Sequence, residues 1–237
     1  MQTSLRQQDL LLRIVEEYID TARPVSSQML EKKHDFGVCP ATIRNEMQAL
    51  TKTGYIFQPH TSAGRVPTDK GYRFFVDCLM EKQTKESGFD NTQIKKIFKQ
   101  LNKDIFGLIE DLTEFLAQTS SGFALSYIFQ KDFVAKNGWT ELFNEPEFNK
   151  KDLALDFFGF LEDFEKGIKE LKINSSVKTF IGMENPFRKT KDFSIILSKC
   201  NFPKRKQGVI SILGPKRMNY NKNIGLVNFC ANLLADL

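Results

Sequence analysis

The stretch Pro40-Ala-Thr-Ile-Arg-Asn-Glu-Met-Gln-Ala-Leu-Thr-Lys-Thr-Gly54 reads as a short amphipathic helix with a marked beginning and end. Proline suits the opening turn, where its missing N–H has no intrahelical partner to lose. Ile43, Met47 and Leu50 recur at helical spacing and are expected to face a core. Ala41, Arg44, Asn45, Gln48 and Lys52 are left on or beside the opposite face. Arginine and the two amides are side chains that pair bidentately with base edges in the major groove of DNA. Gly54 stands where helices commonly end in a left-handed residue. An ordinary surface helix would carry the same spacing, so the flanking sequence decides the reading.

Upstream, Leu11, Ile14, Val15 and Tyr18 form an i, i+3, i+4, i+7 stripe on a first helix expected from about Ser4 to Thr21. After the break at Arg23-Pro24-Val25, Ser26 or Ser27 suits the N-cap of a second helix. That helix carries Met29 and Leu30 and should stop near Asp35-Phe36-Gly37. Three short helices with a tight turn before the third make a helix-turn-helix, whose last helix enters the groove. Ser27 and Thr42 join Arg44, Asn45, Gln48 and Lys52 as candidate DNA contacts on these helices.

Downstream, Phe57 to Arg73 contains Pro59, Gly64, Pro67 and Gly71 and cannot be a long helix. It reads as a basic, turn-rich hairpin. Its His60, Thr61, Ser62, Arg65, Thr68, Lys70 and Arg73 can all donate to phosphate oxygens. A loop arginine can also enter a narrow minor groove. Residues 39–73 hold five Lys/Arg against Glu46 and Asp69, a modest excess, so arrangement rather than charge carries the reading.

These residues carry a resemblance. The runs Pro40-Ala-Thr-Ile-Arg-Asn-Glu-Met47 and Gln58-Pro-His-Thr-Ser-Ala-Gly-Arg-Val-Pro-Thr-Asp-Lys-Gly-Tyr-Arg-Phe-Phe-Val-Asp77 resemble the heat-inducible transcription repressor HrcA family. Phe143-Asn-Glu-Pro-Glu-Phe148, Ile181-Gly-Met-Glu-Asn185 and Ile212-Leu-Gly-Pro-Lys-Arg-Met-Asn-Tyr220 resemble further landmarks of that family, in the same order. The resemblance implies a bacterial, cytoplasmic repressor that binds double-stranded DNA as a homodimer at a long inverted repeat, the CIRCE operator, upstream of chaperone operons. It also implies dependence on a GroEL-type chaperonin for the active fold.

The fold class expected is α+β: an N-terminal winged helix-turn-helix domain at 1–80, a linker at 81–91 and a reduced GAF-like regulatory and dimerisation domain at 92–237. Members of the family are usually longer. Here the strand-like run Gly122 to Phe129 is followed almost at once by Asn137-Gly-Trp-Thr-Glu-Leu-Phe143. An inserted dimerisation domain and several GAF strands are therefore expected to be missing. Cys39 stands where the family commonly has a serine cap, and a thiol accepts helix N–H groups weakly, at a cost of about 1 kcal/mol.

In the second domain a helix is expected from Thr92 to about Thr119. Ile94, Phe98, Leu101, Ile105, Leu108, Leu112 and Phe115 alternate by four and three, the spacing of a coiled-coil seam. Ile97, Ile109 and Leu116 widen the stripe, which favours packing on a sheet, and Gly107 weakens the helix by about 1 kcal/mol relative to alanine. Both uses of the face stay open. Val177 to Gly182, Phe193 to Lys199 and Gln207 to Leu213 read as strands, and Lys151 to Leu171 as an acidic helix. A last helix places Ile224, Val227, Ala231 and Leu234 on one face. Helices on a mostly antiparallel sheet follow. Lys204-Arg205-Lys206 reads as a solvated hairpin loop, or as a second contact to nucleic acid or to an acidic partner. Gly214-Pro-Lys-Arg217 reads as a turn, or as an anion cradle at a helix N-terminus. Trp139 and Pro146-Glu-Phe148 read as packing features.

The bulk numbers are permissive. The chain has 237 residues, net charge +5, a polar N-terminus without a signal peptide, and no apolar run long enough to span a membrane. Cys39, Cys78, Cys200 and Cys230 are scattered, as in a reducing cytosol. Both histidines, His34 and His60, belong to the DNA module, and no metal spacing, P-loop or Gly-x-Gly-x-x-Gly occurs. No catalytic residue, cofactor or metal is therefore nominated. The competing regulator reading has the second domain sense a small ligand or a partner protein in place of heat.

Overall fold

The computed structural model describes residues 3–82, 104–171, 177–188 and 190–235. They belong to two compact units, Met1–Lys82 and Gln83–Leu237. The linker expected at 81–91 lies almost wholly outside the described residues, as do Ile94, Ile97, Phe98 and Leu101 of the expected heptad.

The first unit is built from α1 (Leu5–Thr21), α2 (Ser27–Lys33), α3 (Pro40–Lys52), β1 (Ile56–Phe57), β2 (Val66–Pro67) and α4 (Asp69–Lys82). Ser4 opens α1 with a capping box to Gln7, and Ser26 opens α2 by accepting from the Met29 N–H. Leu10, Leu11, Ile14, Val15 and Ile19 of α1 are buried, whereas Tyr18 is only partly so. The buried stripe thus runs one position either side of the expected one. Ile43, Met47 and Leu50 of α3 close the same core with Val25, Leu30, Ile56, Tyr72, Phe75 and Val76. Gly54 takes the expected left-handed conformation at φ 76° just after α3.

One carboxylate sits inside this unit. Glu17 on α1 is buried, 2.7 Å from Lys33 Nζ and 3.0 Å from His34 Nε2 at the end of α2. Burial pushes its carboxyl up, but the bonds from Lys33 and His34 outweigh that and hold it below the ordinary carboxylate value. These bonds tie α1 to the end of α2.

The second unit comprises α5 (Ile105–Ser120), β3 (Phe123–Ile128), β4 (Phe133–Asn137), α6 (Trp139–Phe143), α7 (Lys151–Gly167), β5 (Lys178–Ile181), β6 (Phe193–Phe202), β7 (Lys206–Pro215) and α8 (Tyr220–Ala235). Among the described residues the strands form one antiparallel sheet in the order β4-β3-β7-β6-β5. Alternation gives it two buried faces. Phe123, Leu125, Tyr127, Phe193, Ile195, Leu197, Val209 and Leu213 pack on Phe157, Phe160, Leu161 and Phe164 of α7. The opposite face meets α5 and α8, where the Thr113 hydroxyl donates to Ser126 Oγ at 2.7 Å and Ser194 Oγ lies 2.9 Å from the Tyr220 hydroxyl. The described part of the expected long helix therefore spends its apolar face on its own sheet.

One expectation changes, and one alternative reading falls away. β4 is a strand that the sequence pattern does not announce, so the sheet has a fifth member between the first strand and Trp139. The 214–217 segment is not an open cradle. Arg217 donates through Nε to Glu147 Oε1 at 2.6 Å, through Nη2 to Glu147 Oε2 at 3.1 Å, and also to Glu145. Asn185 Nδ2 donates to the carbonyls of Gly182 and Phe193 at 2.7 and 3.0 Å, and the rings of Phe148 and Phe193 stack. The three C-terminal landmark runs thus meet at the Phe193–Pro215 end of the sheet.

The buried carboxylate and the uncapped helix each have a measurable effect on stability. Glu17→Gln should lower the stability of the first unit by about 1–2 kcal/mol at neutral pH, since its hydrogen bonds are charge-assisted but Lys33 is half exposed. A carboxyl held low in the folded state stabilises above its unfolded pKa and stops doing so as pH falls through the folded value. The deficit of Glu17→Gln should therefore vanish on acidification below the ordinary carboxylate range; urea titrations at pH 7 and pH 3 check this. Cys39 opens α3 with no side-chain cap bond. Cys39→Ser should therefore add roughly 0.5–1 kcal/mol, read from the same titrations.

Candidate nucleic-acid interface

Helix α3 is rolled so that its apolar stripe faces inward, which leaves Arg44, Asn45, Gln48 and Lys52 exposed. The one acidic side chain on α3, Glu46, turns toward α1 and accepts from Gln7 Nε2 at 2.8 Å. That keeps negative charge off the exposed face. At the start of the helix the Thr42 hydroxyl lies 3.4 Å from Cys39 Sγ and holds that exposed thiol below its usual range.

The ribbon after α3 is short and tied at several points. Ile56 pairs with Pro67 and Phe57 with Val66, and a further bridge joins Val25, ahead of α2, to Arg65. That bridge has N–H···O distances of 2.9 and 2.7 Å and depends on Gly64, where an added Cβ would meet the Val25 carbonyl oxygen at 2.4 Å. Within the loop, Gln58 Nε2 donates to the carbonyls of Thr61 and Ala63 at 2.8 and 2.9 Å. The loop backbone is thereby curled around one amide, and His60, Thr61 and Ser62 stand at its exposed tip.

Helices α2 and α3 and this ribbon enclose an open concavity of about 470 Å³. Ser27 and Gln28 border it from α2, Arg44 and Gln48 from α3, and Thr61, Ser62 and Arg65 from the ribbon. Among the described residues no carboxylate lines it. Arg65 Nε donates to Thr51 Oγ1 at 3.1 Å, which pins the guanidinium at the seam between helix and ribbon. A groove bordered by two arginines, amides and hydroxyls can donate to anionic oxygens and exchange hydrogen bonds with base edges.

Not every candidate residue lies there. Ser27, Arg44, Gln48, Thr61, Ser62 and Arg65 converge on the concavity; Thr42, Asn45, Lys52, His60, Thr68, Lys70 and Arg73 do not line it. Five of these have intramolecular engagements, among them Thr42 with Cys39 and His60 Nδ1 with Ser62 Oγ, 3.4 Å apart. The Thr68 hydroxyl donates toward the carbonyls of Gly54 and Tyr55 at 2.7 and 3.0 Å and accepts from the Gly71 N–H. Lys70 Nζ donates to the Thr53 carbonyl at 2.9 Å and stands 4.2 Å above the Tyr55 ring. Arg73 pairs with Asp77 one turn along α4, at 3.3 Å. Sequence reasoning missed Gln28 and Gln58. Their polarity was visible, but no spacing rule places an amide against a loop five residues on.

Among the described residues no helix is long and apolar enough to cross a membrane, and no group of three or more His, Cys, Asp and Glu could hold a metal ion.

Comparison with known proteins gives a consistent result. The family model described as HrcA protein C terminal domain matches residues 78–224. A protein of Alkaliphilus metalliredigens named heat-inducible transcription repressor HrcA is 30% identical, with 96% of each chain covered. One of the same name from Natranaerobius thermophilus is 28% identical over 99% of this chain and 96% of its own. Those alignments run to 332 and 331 positions, which a chain of 237 residues fills only with long gaps. In fold, a crystal structure described as that of a hypothetical protein matches with a TM-score of 0.82 at 19% identity, covering 99% of this chain and 98% of that one. With a family match over more than half its residues and relatives aligned along nearly its whole length, the chain belongs to the HrcA family.

Proposed function

We propose that this protein is a DNA-binding transcriptional repressor of chaperone operons, active as a homodimer on a CIRCE-like inverted repeat and inactivated by heat. In this reading residues 1–80 are a winged helix-turn-helix domain: α3 enters the major groove and the β1–β2 ribbon is the wing. The observation that carries it is the exposed Arg44, Asn45 and Gln48 face of α3 beside a carboxylate-free concavity that Arg65 borders. Arg44, Asn45 and Gln48 would read bases. Ser27, Thr42, Lys52, His60, Thr61, Ser62, Arg65, Thr68, Lys70 and Arg73 would position the duplex through its phosphates, with Arg65 preset by Thr51. Two copies related by a twofold axis would match the two half-sites, since operator symmetry mirrors protein symmetry.

Residues 92–237 act as a GAF-like regulatory and dimerisation domain joined by the linker at 81–91. The antiparallel sheet with helices on both faces supports that assignment. Heat enters through folding: if the active fold depends on a GroEL-type chaperonin in the cytoplasm, unfolded clients that occupy the chaperonin deplete active repressor. No catalytic role, cofactor or metal is part of this reading.

Arg44→Ala should abolish the preference for the inverted repeat over scrambled DNA, an effect of about 1–3 kcal/mol per half-site. Arg65→Ala should weaken both duplexes alike. Gel shifts at two salt concentrations separate these outcomes, and equal loss on both duplexes for Arg44→Ala would defeat the assignment of α3. For heat, operator binding lost after mild warming should return when chaperonin and ATP are added. Full spontaneous recovery at every temperature would remove the chaperonin from the mechanism.

A further inference from the structure

We propose that the tip of the β6–β7 hairpin, Lys204-Arg205-Lys206, is a second contact to the phosphates of duplex DNA, made by the other unit of the chain. The proposal rests on the DNA-binding reading above. Strand β5 pairs with β6 no further than Leu197, and β3 pairs with β7 no further than Gly208. Among the described residues no strand pairs with the hairpin beyond those points. It continues to the Phe202–Lys206 pair, with Gln130 Oε1 accepting from the Gln207 N–H at 2.9 Å, so its tip extends past the neighbouring strands. Lys204 and Arg205 are exposed there, and Lys206 is partly so.

Among the described residues the charge at the tip is uncompensated. Elsewhere in this unit Lys136, Lys166, Lys169, Arg188 and Arg217 each have a carboxylate within 4 Å. Among the described residues none is near enough to pair with Lys204, Arg205 or Lys206. The concavity beneath the tip, about 550 Å³, is bordered by Asn201, Gln207 and the end of α8 at Ala235. Asp236 follows in sequence, which still leaves an excess of positive charge.

Backbone conformation adds a second, independent observation. Lys204 and Arg205 both hold left-handed φ, 63° and 55°. Asn or Gly would take these angles with less strain, so long cationic side chains stand where a mere turn favours small residues. Lys204 and Arg205 both border the concavity under the tip, which is open to solvent and does not enclose a single anion. Separate cations on a projecting finger suit a rail of phosphates better than one small anion.

The test uses the full chain and fluorescein-labelled duplexes: an inverted repeat recovered by selection from a random pool, and its scramble. Binding is measured across a salt series. Lys204→Gln/Arg205→Gln/Lys206→Gln should lower the slope of log K against log salt by roughly 2 to 3, about 0.9 for each phosphate no longer neutralised, with the preference for the repeat retained. Lys204→Asn/Arg205→Gly should lower it by roughly 2 while melting no lower than wild type, which excludes misfolding as the cause. Unchanged slopes in both variants would overturn the proposal. So would unchanged slopes with loss of binding to phosphatidylglycerol vesicles, which would assign the tip to a membrane surface. Arg44→Ala in the same series keeps the two readings apart. If the protein shows no preference for any repeat yet the hairpin variants still flatten the slope, the repressor reading fails and the hairpin contact stands.

Discussion

The roll of α3 about its own axis governs the first unit. Ile43, Met47 and Leu50 can be buried together only in one orientation, and that orientation sends Glu46 toward α1 and Arg44 and Gln48 toward solvent. The ribbon then has to lie along the α2–α3 edge, because Val25 and Arg65 satisfy each other's backbone groups and Gly64 lets the chains approach. A bulkier residue at 64 would push the ribbon away and open the groove that Arg65 and Arg44 share. Core packing and the chemistry of the exposed face are therefore one constraint, not two.

What was legible in the sequence follows from locality. The helices of the first unit carry their own punctuation: Ser4 and Ser26 cap, Pro40 opens, Gly54 closes. Such signals act over three or four residues and need no tertiary context. β4 carries none. Its residues Phe133-Val-Ala-Lys-Asn137 show no clean alternation and include Ala, Lys and Asn, which are depleted in strands. It is a strand because β3 offers it an edge.

The same division holds at the candidate interface. Donor chemistry was readable from residue type, and the destination of each donor was not. Thr68 and Lys70 bond to the carbonyls at the end of α3 and into Tyr55, because the chain turns back on itself there to start α4. Gln58 organises the loop from inside, a role set by the curl of the backbone. In the second unit, Glu145, Glu147 and Arg217 are about seventy residues apart in sequence, and nothing local announces that they meet. A guanidinium only 12% exposed is tolerated there because two carboxylates hold it.

The strand order of the second unit has a kinetic side. β3 is made early, yet its inner neighbour is β7, and the Ser211 hydroxyl that bonds to the Leu125 carbonyl comes 86 residues later. Until β7 arrives, an apolar strand waits with a raw edge open to any other chain. Pairings of such long sequence separation slow folding and prolong exposure to aggregation. A chain with that delay built into its centre gains most from being sequestered while it folds, which gives the proposed reliance on a chaperonin a root in topology.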